Sequence, residues 1–147
     1  MTDNAPGKIV VDCSVAIKWF VVEDHSTQAT DLLTAFQSGR YMLLAPDFIN
    51  IELSNVVWKK QLRQGLSSGD AEVILNEFPL IGLALTSSHD LLRDAHQLAV
   101  TYERTVYDCL YVALSIREQC SMVTADERLF NATSKSLSNI VMLSNWS

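Results

Sequence analysis

No uncharged apolar run in this 147-residue chain approaches the ~20 residues that a membrane-spanning helix needs. The opening Met1-Thr2-Asp3-Asn4-Ala5-Pro6-Gly7 carries no apolar signal region, so a cytoplasmic protein outside the membrane is expected. Cysteine is scarce: only Cys13, Cys109 and Cys120 occur, an odd count with no Cys-x-x-Cys spacing. That pattern speaks against a disulfide framework and for a reducing, intracellular compartment. Repeats, low-complexity tracts and linker-like stretches are absent. Positive charge is also short, with 11 Lys and Arg against 17 Asp and Glu and a formal net charge of −6. An acidic balance ordinarily argues against nucleic-acid binding. The argument weakens if several acids are metal ligands, because a bound cation inverts the local sign. It also leaves room for a basic partner protein.

What is present is apolar: 48% of residues are hydrophobic and only 19% charged. This suits one compact domain with a real core and excludes a disordered chain. The pattern predicts a buried strand over Lys8–Asp12, a short helix over Ser14–Phe20, and a helix capped by Ser26 that ends near Gly39. A second strand is expected over Met42–Ala45, then a helix opened by Pro46 and Asp47 and closed by Gly65. Ser68 is expected to cap the next helix, which Pro79 interrupts, and Leu80–Leu85 reads as a third strand. A helix starting at His89-Asp90 has Leu91, Leu92, Ala95, Leu98, Ala99 and Tyr102 at helical spacing. A further helix over Asp108–Gln119 and strands over Ser121–Thr124 and Asn139–Leu143 complete the chain. Strands alternating with helices imply an α/β fold, a central parallel sheet flanked by helices on both faces.

Four acids stand at the ends of apolar segments: Asp12 after Ile9-Val10-Val11, Glu52 after Phe48-Ile49-Asn50-Ile51, Asp108 after Val106-Tyr107, and Asp126 after Met122-Val123-Thr124-Ala125. Ligands of open α/β sheets bind beyond the carboxyl ends of the strands, so one crevice could collect all four. Two carboxylates about 4 Å apart repel by roughly 4 kcal/mol at an effective dielectric near 20. Such a cluster needs protons or divalent cations, and an all-oxygen donor set selects a hard ion, Mg²⁺ or Mn²⁺. That points to phosphate chemistry.

Around these acids, Ser14 lies at a distance suited to supporting the Asp12 carboxylate, and Thr124 is expected beside Asp126. Asn55 and Lys59 follow Glu52 at i+3 and i+7, giving one helix face an acid, an amide and an amine. Arg104 and Lys18 are candidate phosphate contacts, and Trp19, Trp58 and Tyr107 candidate base-stacking residues, with core packing the plainer role for Trp58. His25, His89 and His96 stand apart from the four acidic segments and read as surface or capping residues.

The segments Val10–Phe20, Glu52–Val56, Thr105–Leu114 and Val123–Leu129 resemble, in order and approximate spacing, the four motifs of PIN-domain nucleases. The likeness runs from about Lys8 to Leu143 and is closest to the VapC subgroup, toxins of type II toxin–antitoxin pairs. It implies a single PIN-like domain over residues 8–143 after a short extension, 1–7. It further implies a Mg²⁺- or Mn²⁺-dependent endoribonuclease, an antitoxin partner and a homodimer, with Asp12, Glu52, Asp108 and Asp126 as catalytic metal ligands. Cys13 departs from the smaller residue usual there. A haloacid-dehalogenase-type phosphotransferase would carry an Asp where Ser14 stands, and a receiver domain would carry adjacent acids at Asp12. A PIN-like module without catalysis is the non-enzymatic alternative, which the four intact acids disfavour.

Overall fold

A computed structural model describes residues 5–147. Five parallel strands form one sheet in the order β3-β2-β1-β4-β5. They are β1 (Gly7–Val11), β2 (Tyr41–Pro46), β3 (Ala84–Thr86), β4 (Ser121–Thr124) and β5 (Ile140–Met142). The helices are α1 (Cys13–Ala16), α2 (Ser26–Gln37), α3 (Ile49–Arg63), α4 (Ser68–Glu77), α5 (Ser88–Tyr102), α6 (Val106–Arg117) and α7 (Glu127–Thr133).

The β-branched run of β1 is central because it is apolar on both sides. Val10 faces one core layer with Leu53, Val57, Leu91, Leu110 and Leu114 of α3, α5 and α6. Ile9 and Val11 face the other, with Ala29 and Leu32 of α2 and with Leu143. Helix α6 buries every residue from Cys109 to Ser115, so it is apolar all round and lies in the interior. Strand order reverses between β1 and β4, which lie side by side with Val11 opposite Val123. Their carboxyl ends therefore open into one crevice at the switch point.

The expected helix ends at Gly39 and Gly65 hold: both residues adopt positive φ, +81° and +72°, which side-chain-bearing residues avoid. Several local expectations need correction. Leu80–Leu85 is not a strand; Phe78–Ile81 forms a 3-10 turn around Pro79, and only Ala84–Thr86 joins the sheet. Pro46 ends β2 instead of opening α3, because its missing N–H costs nothing at the last strand position. The cap of α4 is Ser67, whose hydroxyl accepts from the Asp70 N–H, not Ser68. Ser26 begins α2 one residue after its cap, His25, and its hydroxyl accepts from the Glu23 N–H. Helix α6 starts at Val106 under a Thr105 cap, which places Asp108 within its first turn. Trp58 is about half exposed, on the outer face of α3, and is no core residue.

Candidate metal centre and active site

The floor of the crevice is made where β1 and β4 end. Asp12 follows β1 and caps α1, accepting from the Val15 N–H at 3.3 Å. Two hydroxyls tie its carboxylate to the neighbouring strand end. The Ser14 hydroxyl donates to Asp12 Oδ1 and accepts from the Ala125 N–H at 2.9 Å. The Thr124 hydroxyl, fully buried, donates to Asp12 Oδ2 and accepts from the Asp126 N–H at 3.0 Å. Asp126 in turn caps α7, accepting from the Arg128 and Leu129 N–H groups at 3.0 and 3.2 Å. Capping and site-building are here the same act: each carboxylate uses Oδ1 to start a helix, while Oδ2 of Asp12 is held by Thr124 and Oδ2 of Asp126 lies near Arg104.

The wall is made by α3 and α6. Glu52 lies in the first turn of α3, and the buried Tyr111 of α6 donates its hydroxyl to Glu52 Oε1 at 2.7 Å. Asp108, one turn before Tyr111, takes a hydrogen bond from the Arg104 guanidinium at 3.1 Å. The same guanidinium lies 3.9 Å from Asp126 Oδ2, so it bridges wall and floor. Asp12, Glu52, Asp108 and Asp126 thus line one cavity of about 230 Å³, with Ser14, Glu23, Lys60 and Tyr111.

Burial shapes the charge of this cavity. It pushes the Asp12 carboxyl up to about 6, against the hydrogen bonds from Ser14, Thr124 and Val15, and the Asp126 charge adds to the rise. Burial likewise pushes Glu52 up to about 7 despite the Tyr111 bond, with the charges of Asp12, Asp108 and Asp126 contributing. Asp108 is raised by burial and by Asp126, with Arg104 opposing. A two-unit rise corresponds to roughly 3 kcal/mol against the ionised form. The crevice is therefore short of positive charge; Arg104 offsets part of the deficit at Asp108 and Asp126, while Lys60 is engaged with Glu23.

Among the described residues, no three Asp, Glu, His or Cys side chains are gathered closely enough to grip a single ion as they stand. The donor chemistry nevertheless fits a hard divalent cation: carboxylate oxygens line the cavity, and two of them are held proton-hungry by burial.

Of the residues singled out in the sequence, Ser14 and Thr124 touch Asp12, and Arg104 touches Asp108. Lys18 is turned to Glu23, at 3.2 Å. Asn55 and Lys59 are exposed and do not line the cavity. The inward face of α3 is Glu52, Val56 and Lys60, at i+4 and i+8. Lys60 is buried and paired with Glu23, and it also donates to Gln64 Oε1 at 3.2 Å. Sequence reasoning missed Tyr111 and Glu23. Tyr111 falls at i+3 from Asp108 on α6, a spacing that offered a signal; Glu23 lies outside any periodic segment and offered none.

The fold and this cavity define a class. The PIN domain family model matches residues 9–135, and the chain belongs to the PIN-domain family. Within that class, it is 33% identical over 124 residues to Ribonuclease VapC3 of Pyrobaculum aerophilum, covering 83% of this chain and 92% of that protein. Among solved structures it resembles PAE2754 of Pyrobaculum aerophilum, with a TM-score of 0.69 at 18% identity over 94% of this chain and 90% of the other. It also resembles VapC20 of Mycobacterium tuberculosis, a toxin that cleaves the sarcin–ricin loop. There the TM-score is 0.62 at 16% identity, over 85% and 95% of the two chains.

Proposed function

We propose that this protein is a metal-dependent endoribonuclease of the VapC kind, the toxin of a toxin–antitoxin pair, hydrolysing RNA phosphodiester bonds in the cytoplasm. The observation that carries this reading is the convergence of Asp12, Glu52, Asp108 and Asp126 on one cavity at the sheet's switch point. The kinship with a VapC ribonuclease supports the substrate class.

In this reading Asp12, Asp108 and Asp126 hold Mg²⁺, with Mn²⁺ as a substitute, and Glu52 holds it directly or through water. The ion, when bound, supplies positive charge at the scissile phosphate and acidifies water. The chain's own residues do the positioning. Ser14 and Thr124 fix both oxygens of Asp12, so its orientation needs no further ordering. Tyr111 fixes one oxygen of Glu52 and leaves the second for the cavity. Arg104 is suited to a phosphate oxygen: its Nε is buried without a hydrogen-bond partner among the described residues. Lys18 acts indirectly, holding Glu23 at the cavity's edge.

The partners follow the same kinship: a cognate antitoxin protein, and a second copy of this chain in a homodimer. The decisive experiment is RNA cleavage with Mg²⁺ by the wild type and by Asp12→Ala. Loss of cleavage in a folded variant is the expected result; full activity overturns the proposal. Co-expression with the product of a small neighbouring gene tests the antitoxin, which should copurify and silence cleavage.

A further inference from the structure

Helices α3 and α6 meet through two rungs. The inner rung is the hydrogen bond from Tyr111 to Glu52 inside the cavity. The outer rung lies one helical turn nearer the amino end of each helix: Phe48 precedes Glu52 by four residues, and Tyr107 precedes Tyr111 by four. Their rings stack in parallel, 9° apart, with centroids 5.0 Å apart. The Glu52 N–H is bonded to the Phe48 carbonyl at 3.0 Å, so the outer rung is built into the helix that carries the site.

The two rings are not equivalent. Phe48 is half-buried and packs against the core. Tyr107 rests on Phe48, stays 59% exposed, and its hydroxyl has no hydrogen-bond partner among the described residues. Here a rigid aromatic face, backed by a second ring, is turned to solvent beside Asp108. Every nucleobase has a π-face, and stacking on such a platform is how proteins hold unpaired nucleotides.

We propose that Tyr107, backed by Phe48, is a stacking platform for an unpaired base of the RNA substrate next to the scissile phosphate. This rests on the ribonuclease reading above. The platform requires the base to be out of a duplex, so it favours loops and single strands over paired RNA. It also supplies grip that the acidic surface around the cavity cannot give through charge. Of the aromatic candidates, Trp19 is excluded because its indole N–H is spent on the Ala29 carbonyl at 2.9 Å and its ring packs against both core layers. Trp58 lies on the exposed side of α3, off the cavity-lining face.

The test compares the wild type with Tyr107→Leu, which keeps an apolar contact to Phe48 and removes the π-face, and with Tyr107→Trp. A single-stranded 12-mer RNA of mixed sequence, a duplex of the same sequence and a fully abasic 12-mer are the probes, with binding read by fluorescence anisotropy in Ca²⁺ and cleavage in Mg²⁺. Tyr107→Leu should bind the single strand about tenfold more weakly, with KM raised by a similar factor and kcat changed far less. Tyr107→Trp should restore binding, thermal melting of all three proteins should agree, and the abasic strand should erase the difference between wild type and Tyr107→Leu. Equal binding by wild type and Tyr107→Leu overturns the platform, as does a tenfold loss that persists on the abasic strand. Wild-type protein that cleaves normally while Tyr107→Leu matches it sinks the platform alone. Wild-type protein that cleaves no RNA removes the ribonuclease reading and the platform together.

Discussion

The floor and the wall of the acidic cavity are built by different rules. On the floor, Asp12 is held by two hydroxyls and a backbone N–H, and Asp126 by two helix-capping bonds. Each carboxylate stands at a strand end whose neighbour is fixed by the parallel ladder. On the wall, Glu52 is oriented by the Tyr111 hydroxyl and Asp108 by the Arg104 guanidinium, each at the end of a rotatable side chain. The floor carboxylates are held by several bonds each, and each wall carboxylate by one side-chain partner. If the difference matters, the floor should hold its position and any adjustment to a bound ion should fall on the wall.

The largest effect should come from breaking the floor. Asp12→Asn should lower RNA cleavage by about 10³-fold or more, as loss of a central ligand in a unit that acts together does. In the absence of metal the same change removes a buried charge that burial disfavours but turns one acceptor oxygen into a donor facing Ser14 or Thr124, so the net effect on stability should stay within about 1–2 kcal/mol. Cleavage kinetics and denaturant melts in EDTA check the two halves.

Next is the pH dependence of the metal-free protein. Asp12 and Glu52 titrate higher in the folded state, at about 6 and 7, than their ordinary 3.8 and 4.5. The folded state therefore binds more protons than the unfolded state across this window. Stability should fall as pH rises from about 4 to 7, by on the order of 6 kcal/mol, roughly 3 from each carboxyl, and level off above. Added Mg²⁺ should reverse the trend, stabilising the protein more at pH 8 than at pH 5. Urea melts at both values, with and without Mg²⁺, decide it; a metal-free protein equally stable at pH 5 and pH 8 contradicts the charge deficit.

Thr124→Val, nearly isosteric, removes a hydroxyl that serves both Asp12 and Asp126. It should destabilise the fold by about 1–3 kcal/mol and reduce cleavage at least tenfold. Tyr111→Phe is the matching probe of the wall and should do less: melting within about 1 kcal/mol of wild type, and Mg²⁺ affinity, read by calorimetry, weakened a few-fold. If Tyr111→Phe proves the more damaging of the two, the division between fixed floor and adjustable wall is wrong.

Much of this was legible without coordinates where the signal is local. The run Ile9-Val10-Val11 announces a doubly buried strand, and Gly39 and Gly65 announce helix ends through a backbone conformation other residues avoid. The Leu80–Leu85 segment misled because an apolar run beside Pro79 carries no period to separate a 3-10 turn from a strand. On α3 the cavity face was misjudged by about one residue's rotation: Val56 and Lys60 turn inward where Asn55 and Lys59 were expected. Periodicity locates a helix more sharply than it locates the point on the helix that meets a neighbour.

By itself, the sequence determined the element order, the parallel α/β class and the four acids, because strand and helix patterning are written in near neighbours. Only the tertiary structure decided that Thr124 and Ser14 join the ends of β1 and β4 across 110 residues or more of chain, and that Tyr111 reaches Glu52. Only there did Phe48 and Tyr107 become a single stacked pair. Those are contacts between elements far apart in the chain, set by the reversal of strand order and the packing of α3 on α6, and no local spacing encodes them.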